Sequence, residues 1–224
     1  MKSFIRLTSP EKLIREYNKS FFEKKFEFQK IKWTSKKSME NRYNLLFSIL
    51  PKKKFSNWID IGCGTGGAFK YYKKTEYKIN KIYGLEINEN LYKYTKKKFL
   101  KQDIIIENSD VINFNSKNKF ELITLIGVLQ NCGHNPFDVL KKTSRILKKN
   151  GLIFLTTKNV NFKNLTIKNS NQHSWFNPFE IANELKKNSI KIIKMFGFDP
   201  HTNTVKNLDQ SNTFFILGKK YDKK

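Results

Sequence analysis

Residues 58–67 read Trp-Ile-Asp-Ile-Gly-Cys-Gly-Thr-Gly-Gly, a short apolar run that ends in a glycine-rich turn. The apolar part predicts a buried strand. Glycines tolerate left-handed dihedrals and place no Cβ in the way of a ligand. In a doubly wound α/β domain, the backbone approaches a nucleotide-like ligand at such a turn. The stretch therefore predicts both the fold class and the place of the site.

The rest of the chain alternates short apolar runs with amphipathic stretches, which is typical of strands and helices around a parallel sheet. The predicted strands lie at 57–61, 81–86, 103–107, 120–126, 151–157, 190–196 and 213–218. The predicted helices between them lie at about 67–75, 88–100, 136–148 and 178–188. Asn150 and Gly151 are expected to cap the helix that precedes them. The last two strands are joined by a loop without a helix, 197–212, which predicts an antiparallel pair.

The length of 224 residues fits one domain, with 1–50 as a helical cap and 55–218 as the core. The two cysteines, Cys63 and Cys132, form no CxxC pair and have no histidine at ligand spacing, so neither a disulfide framework nor a zinc site is predicted. The first residues lack the apolar segment of a signal peptide, and no apolar stretch reaches membrane-spanning length. A cytoplasmic protein without a membrane span is therefore expected.

The formal net charge of +25 comes almost entirely from lysine. A basic surface can neutralise the phosphates of a nucleic acid. Arginine, which makes bidentate contacts with phosphate and guanine, is scarce in this chain. The chain is also rich in Asn, Ile and Phe, a combination typical of A- and T-rich codons. We therefore favour a compositional bias over a nucleic-acid interface.

The glycine pattern at 62–67 is ambiguous by itself, because it also satisfies the dinucleotide fingerprint GxGxxG. Three acidic residues help to decide which ligand this turn binds. Asp60, near the end of the first strand, favours a ligand that carries an ammonium group over a pyrophosphate. Glu86 ends the second strand about two dozen residues after the first glycine, the separation at which an acid reaches ribose hydroxyls. Asp110 follows the third strand.

With these acids, residues 55–218 resemble the class I S-adenosylmethionine-dependent methyltransferases. The segments similar to family motifs are Asp60 to Gly66, Glu86, Asp110-Val111, Phe120 to Gln130 and Leu147 to Ile153. Two departures are a Phe-Glu pair in place of the usual Phe-Asp at 120–121, and Asn150 where glycine is common. The resemblance implies a Rossmann-like, doubly wound α/β sheet of seven strands in the order 3-2-1-4-5-7-6, with strand 7 antiparallel, plus N-terminal helices. It also implies S-adenosylmethionine as cofactor, without a metal.

The resemblance assigns residues to the methionine and ribose parts of that cofactor. The backbone at Gly62, Cys63 and Gly64 would lie against the methionine part and the sugar. Glu86 would accept hydrogen bonds from both ribose hydroxyls. Ile126, at the end of the fourth strand, would present its backbone carbonyl to the methionine ammonium.

The resemblance also assigns residues to the adenine. Asp110 would accept a hydrogen bond from the adenine amino group. Ile87 and Val111 would sandwich the purine ring.

Residues 32–43 resemble a segment that precedes the first motif in some small-molecule members of the family, with a tryptophan and serines before a helical arginine. In the functional interpretation Arg42 pairs with the cofactor carboxylate, and Tyr17, Trp33 and Ser38 lie near the same pocket. The alternative is an ordinary capped helix with one surface arginine. For Tyr17 and Trp33 we favour packing in the core.

The candidate catalytic residues are His134 and His173, each in a loop that follows the carboxyl end of a parallel strand. Methyl transfer from a sulfonium is an in-line displacement, so positioning and exclusion of water supply most of the catalysis. A hydroxyl acceptor gains from a general base, whereas a neutral amine needs none. Either histidine could instead be a structural loop residue. Residues 175–179 either line the acceptor pocket or staple the helix that follows.

These observations predict a methyltransferase that acts on O or N of a small-molecule acceptor, and the basic charge suggests that this acceptor is anionic, such as a sugar nucleotide. The alternative is a methyltransferase acting on RNA or protein. Residues 126–129 read Ile-Gly-Val-Leu, not the Asn/Asp-Pro-Pro-Tyr motif, which argues against methylation of a base amino group. A third hypothesis is a binding subunit that uses the cofactor fold. A dinucleotide oxidoreductase is the least favoured, because no second domain remains to hold a substrate.

Overall fold

The computed structural model describes residues 1–6, 8–165 and 173–222. The chain begins with three helices, α1 (Pro10–Glu23), α2 (Glu27–Lys30) and α3 (Lys36–Ile49). Ser9 and Ser35 begin α1 and α3, because each side chain accepts a hydrogen bond from a backbone N–H of the first turn. The predicted N-terminal helices are confirmed.

The described residues form one sheet of eight strands. These are β1 (Phe55–Ile61), β2 (Ile79–Glu86), β3 (Ile104–Asn108), β4 (Phe120–Ile126), β5 (Leu147–Lys158), β6 (Ile190–Asp199), β7 (Thr204–Lys206) and β8 (Thr213–Lys220). Their order is β3-β2-β1-β4-β5-β8-β6-β7. The first five strands pair in parallel, and β8 runs antiparallel to both β5 and β6.

This order confirms the predicted sheet, including the antiparallel strand inserted beside β5. The number of strands differs, because the predicted loop 197–212 contains β7, which pairs with the end of β6. With only three residues, β7 is too short to produce an alternating apolar pattern. The sheet therefore has eight strands where seven were predicted.

Within the described part of the chain, four α-helices connect the strands: α4 (Gly67–Tyr72), α5 (Glu89–Lys98), α6 (Pro136–Ile146) and α7 (Pro178–Lys187). Their positions match the predicted helices, but the cap expected at Asn150 and Gly151 is wrong. Helix α6 ends at Ile146, and β5 begins with the next residue. Asn150 has a φ of 60° inside β5, where the pairing with β4 shifts in register. Its left-handed backbone thus belongs to an irregularity of the strand and not to a helix end.

Apolar layers cover both faces of the sheet. Ile59 and Ile61 of β1 belong to a core cluster that includes residues of α6 and α7. Trp58, which points to the opposite face from Ile59 and Ile61, belongs to a second cluster that includes Phe55 and residues of α3 and α4. With both faces packed, a ligand reaches the parallel strands at their carboxyl ends. Among the described residues, no helix is long and apolar enough to cross a membrane.

Candidate functional site

The turn after β1 has the left-handed backbone that its glycines predict. Gly62 and Gly64 have φ angles of 67° and 54°. A Cβ at Gly62 would lie 2.8 Å from a methyl carbon of Val128, and a Cβ at Gly64 would lie 2.9 Å from a methyl carbon of Ile31. Both positions therefore lack the space and the backbone geometry for a larger residue.

A cavity opens beside this turn, at the carboxyl ends of the parallel strands. Most of the predicted site residues line it: Arg42, Gly62, Gly64, Glu86, Ile87, Asp110, Val111, Ile126 and His173. The described structure places Asp60, Cys63 and His134 outside this lining. Helix α1 and the segment before α3 contribute Leu13, Tyr17 and Trp33, so the N-terminal helices cover the cavity.

Glu86, the last residue of β2, is a buried acid at the cavity wall. The Gly64 N–H donates to its Oε2 at 2.9 Å, and the Asn88 N–H donates to its Oε1 at 2.9 Å. Burial raises the pKa of Glu86, while these two N–H groups oppose that shift. Each carboxylate oxygen keeps acceptor capacity beyond its one backbone partner. The side chain is therefore fixed in place and can still accept two ligand hydroxyls.

Asp110 lies at the end of the cavity that β3 forms, together with Ile87 and Val111. The Ile112 N–H donates to Asp110 Oδ1 at 2.8 Å, and His134 Nε2 contacts Asp110 Oδ2. These contacts bring the predicted adenine residues together. They also place His134 behind Asp110, on the side of the predicted adenine and outside the cavity lining.

Arg42, on α3, is a buried cation that lines the cavity. Its Nη1 donates to the Ser38 carbonyl at 2.7 Å and to Ser38 Oγ at 2.8 Å, and its guanidinium lies 4.3 Å from the centre of the Trp33 ring. Burial lowers the pKa of Arg42 to about 9, so the group stays charged at neutral pH. Among the described residues, no carboxylate oxygen lies within 4.0 Å of the guanidinium. The charge therefore has no close ion pair among the described residues, and Asp199 acts on it only at longer range.

Tyr17 and Trp33 also line the cavity, where packing in the core was the favoured interpretation. Trp33 lies beside the residue that follows β4, because a Cβ at Gly127 would be 3.1 Å from its ring. The Tyr17 ring lies 5.1 Å from Lys32 Nζ. The structure thus brings the residues of segment 32–43 to one wall of the cavity.

Asp60 and Cys63 lie behind the turn. Thr124 Oγ1 donates to Asp60 Oδ1 and accepts a hydrogen bond from Trp58 Nε1 at 2.8 Å. Burial raises the pKa of Asp60 to about 7, and the nearby Glu86 adds to the shift. The buried Cys63 donates its N–H to the Leu85 carbonyl at 3.1 Å. In this structure both residues support the turn from below the cavity.

His173 lies in the part of the cavity next to β5, where its Nδ1 is 3.2 Å from Asn131 Oδ1. Burial lowers its pKa to about 4, and the positive charges of Lys158, Lys32 and Arg6 lower it further. The imidazole is therefore neutral at neutral pH.

Sequence reasoning missed several residues of this part of the cavity, among them Lys158, Lys32, His201 and Asn212. Lys158 ends β5, one residue beyond the predicted strand. We attributed the lysines to a compositional bias and did not include His201 among the candidate catalytic residues. The signal that could have identified Lys158 is its position at the carboxyl end of the strand next to β4, the same sheet edge as the predicted cofactor residues.

The fold and the cavity define a Rossmann-like domain that can hold a nucleoside carrying a charged amino-acid tail. The methyltransferase-domain family matches residues 59–155, from β1 to β5. The chain shares its fold with solved structures of S-adenosylmethionine-dependent methyltransferases. Together with the domain match, this confirms the family resemblance, the enzyme class and the cofactor that the sequence predicted.

Two curated relatives and one solved structure illustrate the similarity. An uncharacterized protein of Methanocaldococcus jannaschii is 28% identical over 137 residues, which are 61% of this chain and 49% of that protein. A ubiquinone biosynthesis O-methyltransferase of Pelagibacter ubique is 25% identical over 156 residues, 63% of this chain and 64% of that protein. The matches thus span about half and just under two thirds of these relatives' lengths.

The solved structure is the N-methyltransferase NodS of Bradyrhizobium japonicum WM9 in complex with S-adenosyl-L-homocysteine. It superposes with a TM-score of 0.71 at 11% identity and covers 94% of this chain and 99% of that chain. At this identity the match establishes the fold alone.

Proposed function

We propose that this chain binds S-adenosylmethionine in the cavity and transfers its methyl group to an oxygen or nitrogen of a small-molecule acceptor. The observation that carries the proposal is the buried Arg42, a cation in the cavity wall with no carboxylate within 4.0 Å among the described residues. A buried charge without a counterion is costly, so the site favours a ligand that brings one. The cofactor brings a single carboxylate.

The other cofactor contacts follow from the order of the strands. Glu86 on β2 would accept the ribose hydroxyls, and Asp110 after β3 would accept from the adenine amino group. The turn at 62–64 allows the close approach of the backbone. When bound, the cofactor supplies an electrophilic methyl group on a sulfonium. Asp60 would act on its ammonium only through the field of a buried carboxylate, since Asp60 does not line the cavity.

A small acceptor is supported by the covering of the cavity. Residues of α1 and the Trp33 segment line the cavity together with the sheet edge, which favours an acceptor small enough to enter it. The relative from Pelagibacter ubique acts as an O-methyltransferase in ubiquinone biosynthesis, which is consistent with a small acceptor for this chain.

His173 is the residue we propose as general base for a hydroxyl acceptor. It lines the cavity on the β5 side and is neutral at neutral pH, so it can accept a proton. With Asn131 Oδ1 as acceptor for Nδ1–H, the lone pair remains on Nε2. His134 is bonded to Asp110 and is not assigned this role.

The test is methyl transfer from labelled S-adenosylmethionine to a panel of phenols, aliphatic alcohols and amines. The chain is expected to bind S-adenosyl-L-homocysteine and to methylate a member of this panel. His173→Gln should slow transfer to a hydroxyl by about 100-fold and leave transfer to a neutral amine within a fewfold. Transfer to the amine by the same variant is the internal control. An unaltered chain that binds no S-adenosyl-L-homocysteine would contradict the proposed function.

A further inference from the structure

The cavity extends past β4 to the end of β5, where Lys158 lines it together with His173 and Asn212. In the sheet order, β5 lies beyond β4 on the side away from β1, β2 and β3. The strands that carry the ribose and adenine residues thus lie on one side of β4, and Lys158 lies on the other. This end of the cavity is where an acceptor would enter.

Lys158 is mostly buried, and its Nζ lies 5.3 Å from the centre of the Trp175 ring. Within the ranges 1–6, 8–165 and 173–222, no acceptor atom forms a hydrogen bond with Nζ and no carboxylate lies within 4.0 Å of it. Burial and the nearby charge of Arg42 lower the pKa of Lys158 to about 8. The amine therefore remains mostly protonated at neutral pH, in a place where a positive charge is unfavourable.

Lys32 provides the contrast, because it also lines the cavity but has its own counterion. Its Nζ donates to Glu16 Oε2 at 2.7 Å, and it lies over the Tyr17 ring. The charge of Lys32 is therefore satisfied within the protein. Lys158 and Arg42 are the cavity-lining cations that lack such a partner among the described residues.

Two cations without counterions exceed what the cofactor can neutralise, since it carries one carboxylate. Arg42 suits that carboxylate, because its planar guanidinium is already oriented by Ser38 and Trp33. A second anionic group is then needed beside β5. We propose that Lys158 binds an anionic group, a carboxylate or a phosphate, on the methyl acceptor and thereby selects acidic acceptors. This inference rests on the proposed function.

The experiment uses the Trp175 indole as a local reporter of the site. The chain has three tryptophans, so its indole N–H signals in a 15N spectrum can be assigned with Trp175→Phe. The protein loaded with S-adenosyl-L-homocysteine is titrated with inorganic phosphate and, separately, with benzoate. A saturable shift of the Trp175 signal is expected with at least one anion. The anion that binds more tightly shows whether the site prefers a phosphate or a carboxylate.

The variants are Lys158→Gln and, as matched control, Lys149→Gln, an exposed lysine near the other end of the same strand. Lys158→Gln should weaken binding of the anion at least tenfold and should change the affinity for S-adenosyl-L-homocysteine less than twofold. Lys149→Gln should change neither affinity. Two results would overturn this inference and leave the proposed function intact. One is unchanged anion binding in Lys158→Gln, and the other is the absence of an anion-dependent shift in a chain that binds S-adenosyl-L-homocysteine. A tenfold loss of S-adenosyl-L-homocysteine affinity in Lys158→Gln would also overturn it, because Lys158 would then serve the cofactor. No cofactor binding by the unaltered chain would instead overturn the proposed function.

Discussion

At the β2–β3 end of the cavity, backbone N–H groups fix the carboxylates of Glu86 and Asp110. At the β4–β5 end, Arg42 and Lys158 have no carboxylate within 4.0 Å among the described residues. The first end is complete within the protein and its shape comes from short, contiguous turns. The second end is assembled from α3 and the end of β5, and we propose that ligands neutralise its charges. On this proposal the first end recognises a nucleoside and the second end recognises anionic groups.

The largest expected effect is at the first end. Glu86→Ala removes an acceptor for two ribose hydroxyls, each worth about 1.5–3 kcal/mol for a hydrogen bond to a charged group. Calorimetric titration should show that both S-adenosyl-L-homocysteine and adenosine bind at least tenfold more weakly. Glu107→Ala, an exposed acid on β3, is the control and should bind both ligands normally. Unchanged affinity in Glu86→Ala would refute the ribose assignment.

The second prediction concerns the effect of Asp60, which lies behind the turn, on the pH dependence of stability. Burial raises the pKa of Asp60 to about 7 in the folded chain, well above its value in an unfolded chain, so the folded state retains a proton that the unfolded state releases. The contribution of Asp60 to stability is therefore present below about pH 4 and is lost as the pH rises towards 7, with a slope of at most about 1.4 kcal/mol per pH unit.

Asp60→Asn should remove this slope, which urea unfolding of both chains between pH 4 and pH 7 can measure. The asparagine keeps an oxygen for the Thr124 hydroxyl, so the variant is expected to fold. Parallel pH profiles for the two chains would contradict a raised pKa at Asp60.

The smallest expected effect concerns the backbone of the turn. Gly64→Ala places a Cβ 2.9 Å from Ile31 in a left-handed conformation, so the free energy of unfolding should fall by about 1–2 kcal/mol. Chemical denaturation measures this change. Binding of the nucleoside should also weaken, because the Gly64 N–H fixes Glu86. An unchanged denaturation midpoint would show that the turn tolerates a side chain.

The same comparison explains what could be predicted from the sequence. The turn at 62–67, Glu86 and Asp110 each follow a strand with a clear apolar pattern, so their common position at one sheet edge could be deduced. The order of the strands followed from the resemblance. By contrast, β7 has only three residues, and no periodic pattern can identify so short a strand.

At the second end, the residues come from segments that are distant in the chain. Lys158 is one of many lysines, and in the sequence only its position at the end of β5 distinguishes it, whereas its missing ion pair required the structure. The pairing of His134 with Asp110 also depends on how a loop after β4 packs, which no motif reveals. Arg42 was identified through a resemblance to small-molecule members, while its burial and its contact with Trp33 required the structure.

The most direct test of the central claim, that the cavity recognises the charged tail of S-adenosylmethionine through Arg42, is calorimetric titration of Arg42→Met with two ligands. S-adenosyl-L-homocysteine carries the carboxylate and adenosine does not. The variant is expected to bind S-adenosyl-L-homocysteine at least tenfold more weakly and adenosine as the unaltered chain does, and Arg145→Met, an exposed arginine on α6, should bind both normally. An equal loss for both ligands, or no loss for either, would contradict the account.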